Sequence, residues 1–422
     1  MAKEAIKNLS QRNQGLILYQ CALAVVSIFL FFTNLDVYLY LSKIVRLEPL
    51  IYIVLVIFAS IPLFFFVPIE QRSLPKNLLK WSIAYLFLSV FAFWLYPSLN
   101  EPLQALKDRM LSLLFMLVMA VVFSKFYVVQ QSARYAVVGA NLVSIFNNIY
   151  EFMNPGVFAG LNLTGRAAGF YIDSNSSGDG VLLGLILGLG VLPEKFRMLY
   201  ALLSGIGIFV TFSRGALIGW IIVMIILYIT KAIPRKPFLL YIIGIFFVVI
   251  LINQGGQFLK QIDTSFISKN ALSRLEDFGS IASGGGGDVE DDAAAGRKLV
   301  AKLGWEKFLE NPFVGHGLGA SQFFDVGALV SHEISTHNTY LAYMVDHGIL
   351  GTFVLPMLVL SVTYPARGEG KNVSFAFAIF VILWGLFSHT ILIQRLHLLT
   401  FSLMAIMNQT DIKADSVNSR GS

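Results

Sequence analysis

His337 stands in the run Ser335-Thr336-His337-Asn338-Thr339-Tyr340-Leu341, where a long apolar stretch begins. A neutral imidazole, with an ordinary pKa of about 6.5, is suited to taking a proton at neutral pH. At a membrane surface it could deprotonate an incoming hydroxyl, or it could serve as an interfacial histidine that hydrogen-bonds a loop. Arg214, in Thr211-Phe212-Ser213-Arg214-Gly215, lies between two apolar runs with almost no loop between them. A charge there is costly, so it calls for a partner or an anionic ligand, the alternative being snorkelling to the surface. Arg166 lies in Gly165-Arg166-Ala167-Ala168-Gly169-Phe170, and Arg297 opens a stretch of helical spacing. Arginine's planar fork suits diphosphate oxygens. The chemistry suggested is a base accompanied by a polyanion clamp.

Other candidates are weaker. His316, His332, His347, His389 and His397 read as packing or interfacial histidines, and Asp346-His347 as polar packing two to three turns below His337. Gly315-His316-Gly317-Leu318-Gly319 is a turn where backbone approaches a ligand or a helix; it lacks the Lys-Ser/Thr of a phosphate-binding loop. Asp288, Glu290, Asp291 and Asp292 could hold a divalent ion, but their Gly- and Ala-rich setting favours a solvated charge run. No metal and no cofactor is expected.

The elements that must position these residues are membrane helices. Of 422 residues, 56% are hydrophobic and 13% charged, with 36 Phe and 16 Tyr. Soluble domains carry about 25% charge, so a soluble enzyme is excluded, and so is a disordered chain. The one Cys, Cys21, removes any disulfide framework. Apolar runs of roughly 17–25 residues suffice to span a bilayer. About twelve candidates are read, near 16–34, 49–67, 81–97, 109–124, 135–153, 179–193, 197–213, 215–230, 237–253, 338–360, 373–389 and 395–408. The expectation is an all-α polytopic membrane protein: spans one to nine over 1–252, a large loop over 253–337, spans ten to twelve over 338–408, and a tail over 409–422. Within the loop, Leu299–Leu309 has helical spacing, with Leu299, Leu303, Trp305 and Phe308 or Leu309 available to a membrane-facing side. Asn311-Pro312 stops it, and the run from Gly284 to Gly287 reads as a hinge.

Short-loop charge sets orientation. More than half of the 31 basic residues, among them Lys3, Lys7, Arg72, Lys125, Arg134, Lys195, Lys231 and Lys371, fall on the side of both termini. Arg109, Arg166 and Arg214 fall in the opposite short loops. Both termini are therefore expected to be cytoplasmic and the large loop external. The first apolar run lacks a cleavage site and is not read as a cleaved signal. No inverted repeat is evident, and the notable charges gather at the outer end, whereas a transporter would spread polar residues along its helices. No nucleotide-binding or nucleic-acid-binding segment is seen.

Gly165-Arg166…Gly169-Phe170-Tyr171…Ser174-Asn175 and Thr211…Ser213-Arg214-Gly215 resemble motifs of the bacterial O-antigen ligase and polymerase superfamily. So do Gly296-Arg297, Trp305…Asn311-Pro312…Gly315-His316-Gly317 and His337-Asn338…Tyr340-Leu341…Gly348…Gly351. Ser174-Asn175 replaces the Pro-Asn of many members, a change a turn tolerates. The resemblance implies an inner-membrane, polytopic (C-type) glycosyltransferase. It would take a glycan from undecaprenyl diphosphate by metal-independent, inverting transfer at the periplasmic face. It further implies that His337 activates the acceptor hydroxyl and that Arg214, Arg297 and Arg166 grip the donor diphosphate. Asn338, Tyr340 and His316 would support them. The expected partners are the lipid-linked donor, a lipid A–core or other glycan acceptor, and membrane lipids. Ligase is favoured; polymerase and protein O-glycosylation share the chemistry, and a flippase is the non-enzymatic alternative.

Overall fold

The structure, a computed structural model, describes residues 11–66, 74–95, 101–123, 126–158, 166–234, 292–322, 336–367 and 370–409. Among these, all regular structure is helical. The long helices are α1 (Gln11–Phe32), α2 (Leu35–Leu41), α3 (Pro49–Phe66), α4 (Lys76–Leu95), α5 (Glu101–Val122), α6 (Tyr127–Met153) and α7 (Ser174–Gly188). They continue with α8 (Glu194–Phe209), α9 (Arg214–Ile229), α10 (Asp292–Glu310), α11 (Thr339–His347), α12 (Val354–Thr363), α13 (Ser374–Trp384) and α14 (Arg395–Met407). A helix therefore lies at every expected span except 237–253, which falls outside the described residues, as do the Gly284–Gly287 run and Asp288, Glu290 and Asp291.

By length and apolarity four segments suffice to cross a bilayer: Gln14–Phe32, Pro49–Phe66, Lys76–Leu95 and Thr339–Thr363; α5 and α6 counted as one span make a fifth. Phe65, Phe87 and Trp94 are 75%, 73% and 71% exposed, an apolar surface that needs lipid rather than water. The expectation of twelve full spans is thus met in part. The 373–389 run is regular α-helix only to Trp384; Gly385 keeps helical dihedrals (φ −56°, ψ −22°) and the chain turns on to Ser388, whose N donates to Trp384 O (3.0 Å). A Cβ on Gly385 would lie 2.6 Å from Leu355 Cδ2 and 2.9 Å from the Tyr340 ring.

The chain divides into two compact units, 1–59 with 131–289 and 60–130 with 290–422. In the first, α7 packs between α8 and α9. Along α6, Arg134, Asn141, Ser144, Asn148 and Glu151 are buried. Their partners are on neighbouring elements: Arg134 Nε donates to Leu187 O (3.2 Å), Asn141 Nδ2 to Tyr200 Oη (2.8 Å) and Asn148 Nδ2 to Gly207 O (3.2 Å). Such side chains join helices in lipid, where backbone and amide groups have no water to turn to. Arg134, expected as a loop charge, is therefore a buried helix residue, and buried charge is not confined to one end of the spans.

In the second unit α5 packs on α14, with Ser402 Oγ donating to Met116 O (2.7 Å), and α12 on α4, where Trp81 Nε1 donates to Val354 O (3.0 Å). Arg109 also departs from expectation. It sits inside α5, 7% exposed, paired with Asp346.

Candidate active site

Three helix starts carry the sequence-predicted residues. In the first unit Asp173 caps α7, accepting from Ser176 N (2.9 Å) and Ser176 Oγ (3.0 Å). Ser213 caps α9, accepting from Ala216 N (3.4 Å) and donating to Asn175 Oδ1 (2.9 Å). A Cβ on Gly178 would come within 2.6 Å of Ala216 Cβ, so glycine lets these two helix starts lie side by side. A helix start leaves its first N–H groups outside the intrahelical ladder and carries about half a positive charge. Arg214 is the first residue of α9, half-buried, and its cation adds to that field. Asp173 already sets a carboxylate on the α7 start, so it is the α9 start with Arg214 that favours a further anion.

Arg166 joins the same place. It is 7% exposed, and its Nη1 donates to Phe212 O (3.1 Å), two residues before Arg214. Phe212 is left-handed, with φ 51°, a costly conformation for a non-glycine residue. The Arg166 bond and its burial among aromatic rings, with Phe209 and Phe152 6.0 Å away, hold it there. The loop behind is fixed by Glu151, whose carboxylate accepts from Ala168 N and Gly169 N at 2.7 Å each. Gly169 needs no Cβ, having φ 61° and Asn147 Cβ 2.9 Å from where one would sit.

In the second unit His337 is exposed and left-handed, φ 46°. It directly precedes Asn338, which caps α11 by accepting from Leu341 N (3.1 Å). Thr336 Oγ1 donates to Asn338 O (3.1 Å), Thr339 N to Gly385 O (2.8 Å) and Tyr340 Oη to Ile382 O (2.8 Å). Asn338 and Tyr340 thus fix the corner that presents His337. The His389 ring meets that of His337 at 5.2 Å between centroids and 83°. His389 lies in the turn after α13, and burial, then the charge of His337, push its imidazole down to about 4.

His316 ties two segments: its ring contacts Lys307 O at the end of α10, and its backbone N–H donates to Val345 O (2.8 Å). The glycine turn packs on the end of α11. A Cβ on Gly315 would lie 2.5 Å from Gly348 N, and one on Gly348 would lie 2.4 Å from Phe313 C. Arg297 lies on α10; its side chain is outside the described ones. The expected apolar face of α10 divides: Phe308 packs with Leu341 and Val345, while Leu299, Trp305 and Leu309 are about half exposed.

Arg166 and Arg214 are brought to one turn in the first unit, whereas Arg297 and His337 belong to the second. Sequence reasoning missed the Arg109 cluster. Arg109 Nη1 contacts His347 Nε2, Nη2 pairs with Asp346, and Tyr343 and Tyr85 lie 4.9 and 5.7 Å from its guanidinium carbon. Asp346 Oδ1 accepts from Ser321 N (3.0 Å). The signal was a basic residue in one apolar run and an Asp-His pair in another. Among the described residues no three His, Cys, Asp or Glu side chains gather as metal ligands.

An all-helical membrane protein with an anion-favouring arginine turn and an exposed histidine at a helix start is the class these features define. Residues 199–356 match the family described as O-antigen ligase, and this bears out the resemblance to the O-antigen ligase and polymerase superfamily. The match takes in Arg214, Arg297, His316 and His337; Arg166 and His389 lie outside it. No curated protein matches the chain significantly.

Proposed function

We propose that the protein is an O-antigen ligase of the bacterial inner membrane, with cytoplasmic termini and its reaction at the periplasmic face. The donor is a glycan on undecaprenyl diphosphate and the acceptor a hydroxyl of the lipid A–core. Arg214 and Arg166 neutralise the diphosphate, with Arg297 as the third cation carried over from the family. His337 takes the acceptor's hydroxyl proton as the oxygen attacks the anomeric carbon from the face opposite the diphosphate. The carbon–oxygen bond to the diphosphate breaks, its electron pair leaves with undecaprenyl diphosphate, and the anomeric configuration inverts. Negative charge grows on that leaving group, and fixed cations stabilise it there.

The observation that carries this reading is the turn where the α7 and α9 starts, Arg166 and Arg214 meet, a place suited to a polyanion. The test supplies reconstituted protein with lipid-linked glycan and, separately, lipid A–core or a second lipid-linked unit. Product on the core supports the ligase. Lengthened lipid-linked chains would make the protein a polymerase, and glycosylated Ser or Thr a protein glycosylating enzyme. Donor crossing the bilayer with no transfer would make it a flippase.

A further inference from the structure

The His337 corner has a second histidine built against it. Segment 385–390 is held to the start of α11 by Thr339 N donating to Gly385 O (2.8 Å) and Thr339 Oγ1 to Ser388 O. Tyr340 Oη donates to Ile382 O one turn earlier (2.8 Å). Glycine at 385 permits the approach, since a Cβ there would meet the Tyr340 ring. These bonds set the His389 ring edge-to-face with that of His337. His337 is exposed with φ 46°, and the neighbouring ring limits how its own ring turns.

We propose that His389 is a positioning residue for His337, fixing the orientation of its ring and stabilising the imidazolium formed when it takes the acceptor's proton. This rests on His337 being the base. Among the described residues, the titratable groups on the elements next to His389 in the chain or bonded to its segment include His337, Tyr340, Arg395 and His397, and His337 is in ring contact with it. At neutral pH the His389 imidazole is uncharged, so it does not oppose charge on His337. A neutral ring beside an imidazolium offers a lone pair or an electron-rich face.

The experiment compares reconstituted wild type with His389→Ala, His389→Gln and His389→Phe, and with His337→Ala in parallel. Initial rates are taken across pH with lipid-linked glycan and core acceptor, and the His337 ring is titrated by NMR in labelled protein. Removing His389 is expected to lower kcat roughly 10- to 100-fold, the scale of a misplaced reacting group, with donor KM little changed. The acid limb of the rate profile and the His337 titration are both expected to move to lower pH, with Gln retaining more rate than Ala or Phe. An unmoved His337 titration and rate profile in the three His389 variants would overturn the proposal. So would a fall in kcat equal in all three with no shift. Full transfer by His337→Ala would overturn the base reading instead. The NMR titration reads the ring contact in either case.

Discussion

Asp346 grips Arg109 with one carboxylate oxygen and the backbone N–H of Ser321 with the other. One buried anion thus joins α5, α11 and the turn that follows α10. Both partners are nearly inaccessible, with side chains 9% and 3% exposed, so breaking the pair strands a charge without water. Arg109→Met is expected to cost about 3–5 kcal/mol. The double variant Arg109→Met with Asp346→Leu should recover part of that loss in thermal unfolding of the reconstituted protein. Equal destabilisation by single and double variants would mean that the guanidinium's ring contacts, not its ion pair, hold the site.

Arg166 has a structural duty beside its proposed electrostatic one. Arg166→Lys keeps the charge and removes the planar fork that reaches Phe212 O. Donor KM is expected to rise several-fold, because the left-handed turn before Arg214 loses its tie. Arg214→Ala should lower kcat/KM further, on the order of 100-fold, the scale of a lost transition-state donor. Donor binding and rates measured on both variants check the order.

Asn338 is a helix cap as well as the neighbour of His337. Asn338→Ala should destabilise by about 1 kcal/mol, and Asn338→Asp should restore most of it, since a carboxylate caps equally well. Thermal unfolding reads the cap, and transfer rate in the same samples reads how firmly His337 is presented.

The His389 imidazole is held down to about 4 from an ordinary 6.5. Between those values the unfolded chain takes up a proton that the folded one refuses. The stability this residue contributes is complete above 6.5 and is lost as pH falls toward 4. Unfolding temperature should therefore drop across that window, and His389→Phe should flatten that part of the slope.

The active-site reading needs no divalent ion. Transfer is expected to survive prolonged chelation unchanged. Abolition by chelator and rescue by Mg²⁺ or Mn²⁺ would return attention to Asp288, Glu290, Asp291 and Asp292.

Helices were legible in the sequence because apolar runs of span length have few alternatives, and caps such as Asp173, Ser213 and Asn338 mark where they begin. Hydropathy could not say how many runs form full crossings. α13 shows why: its apolar run continues to 389, but regular helix ends at Trp384 and the next residues form turns tied to the start of α11 through Thr339 N and Gly385 O (2.8 Å). Charge reading failed at Arg109 and Arg134 for a related reason. A basic residue near the end of an apolar run resembles a loop charge until its partner on another helix is known. The joining of Arg166 to the Arg214 turn also escaped, because a side chain reaching a carbonyl 46 positions away leaves no local pattern. The place of His337 just before a helix start was readable, since Asn338 caps that helix, whereas its neighbour His389 looked like any interfacial histidine.

A methyl group on Gly315 would collide with the backbone of Asp346 and Gly348, and one on Gly348 with the backbone of Phe313. The turn after α10 and the end of α11 therefore behave as one rigid joint rather than as two loops. A side chain added on either side must push the two segments apart, and the same segments are bonded through Gly317 N to Asp346 O (3.2 Å), next to the carboxylate that pairs with Arg109. The two glycine motifs, separate in the chain, are one packed seam in the folded protein.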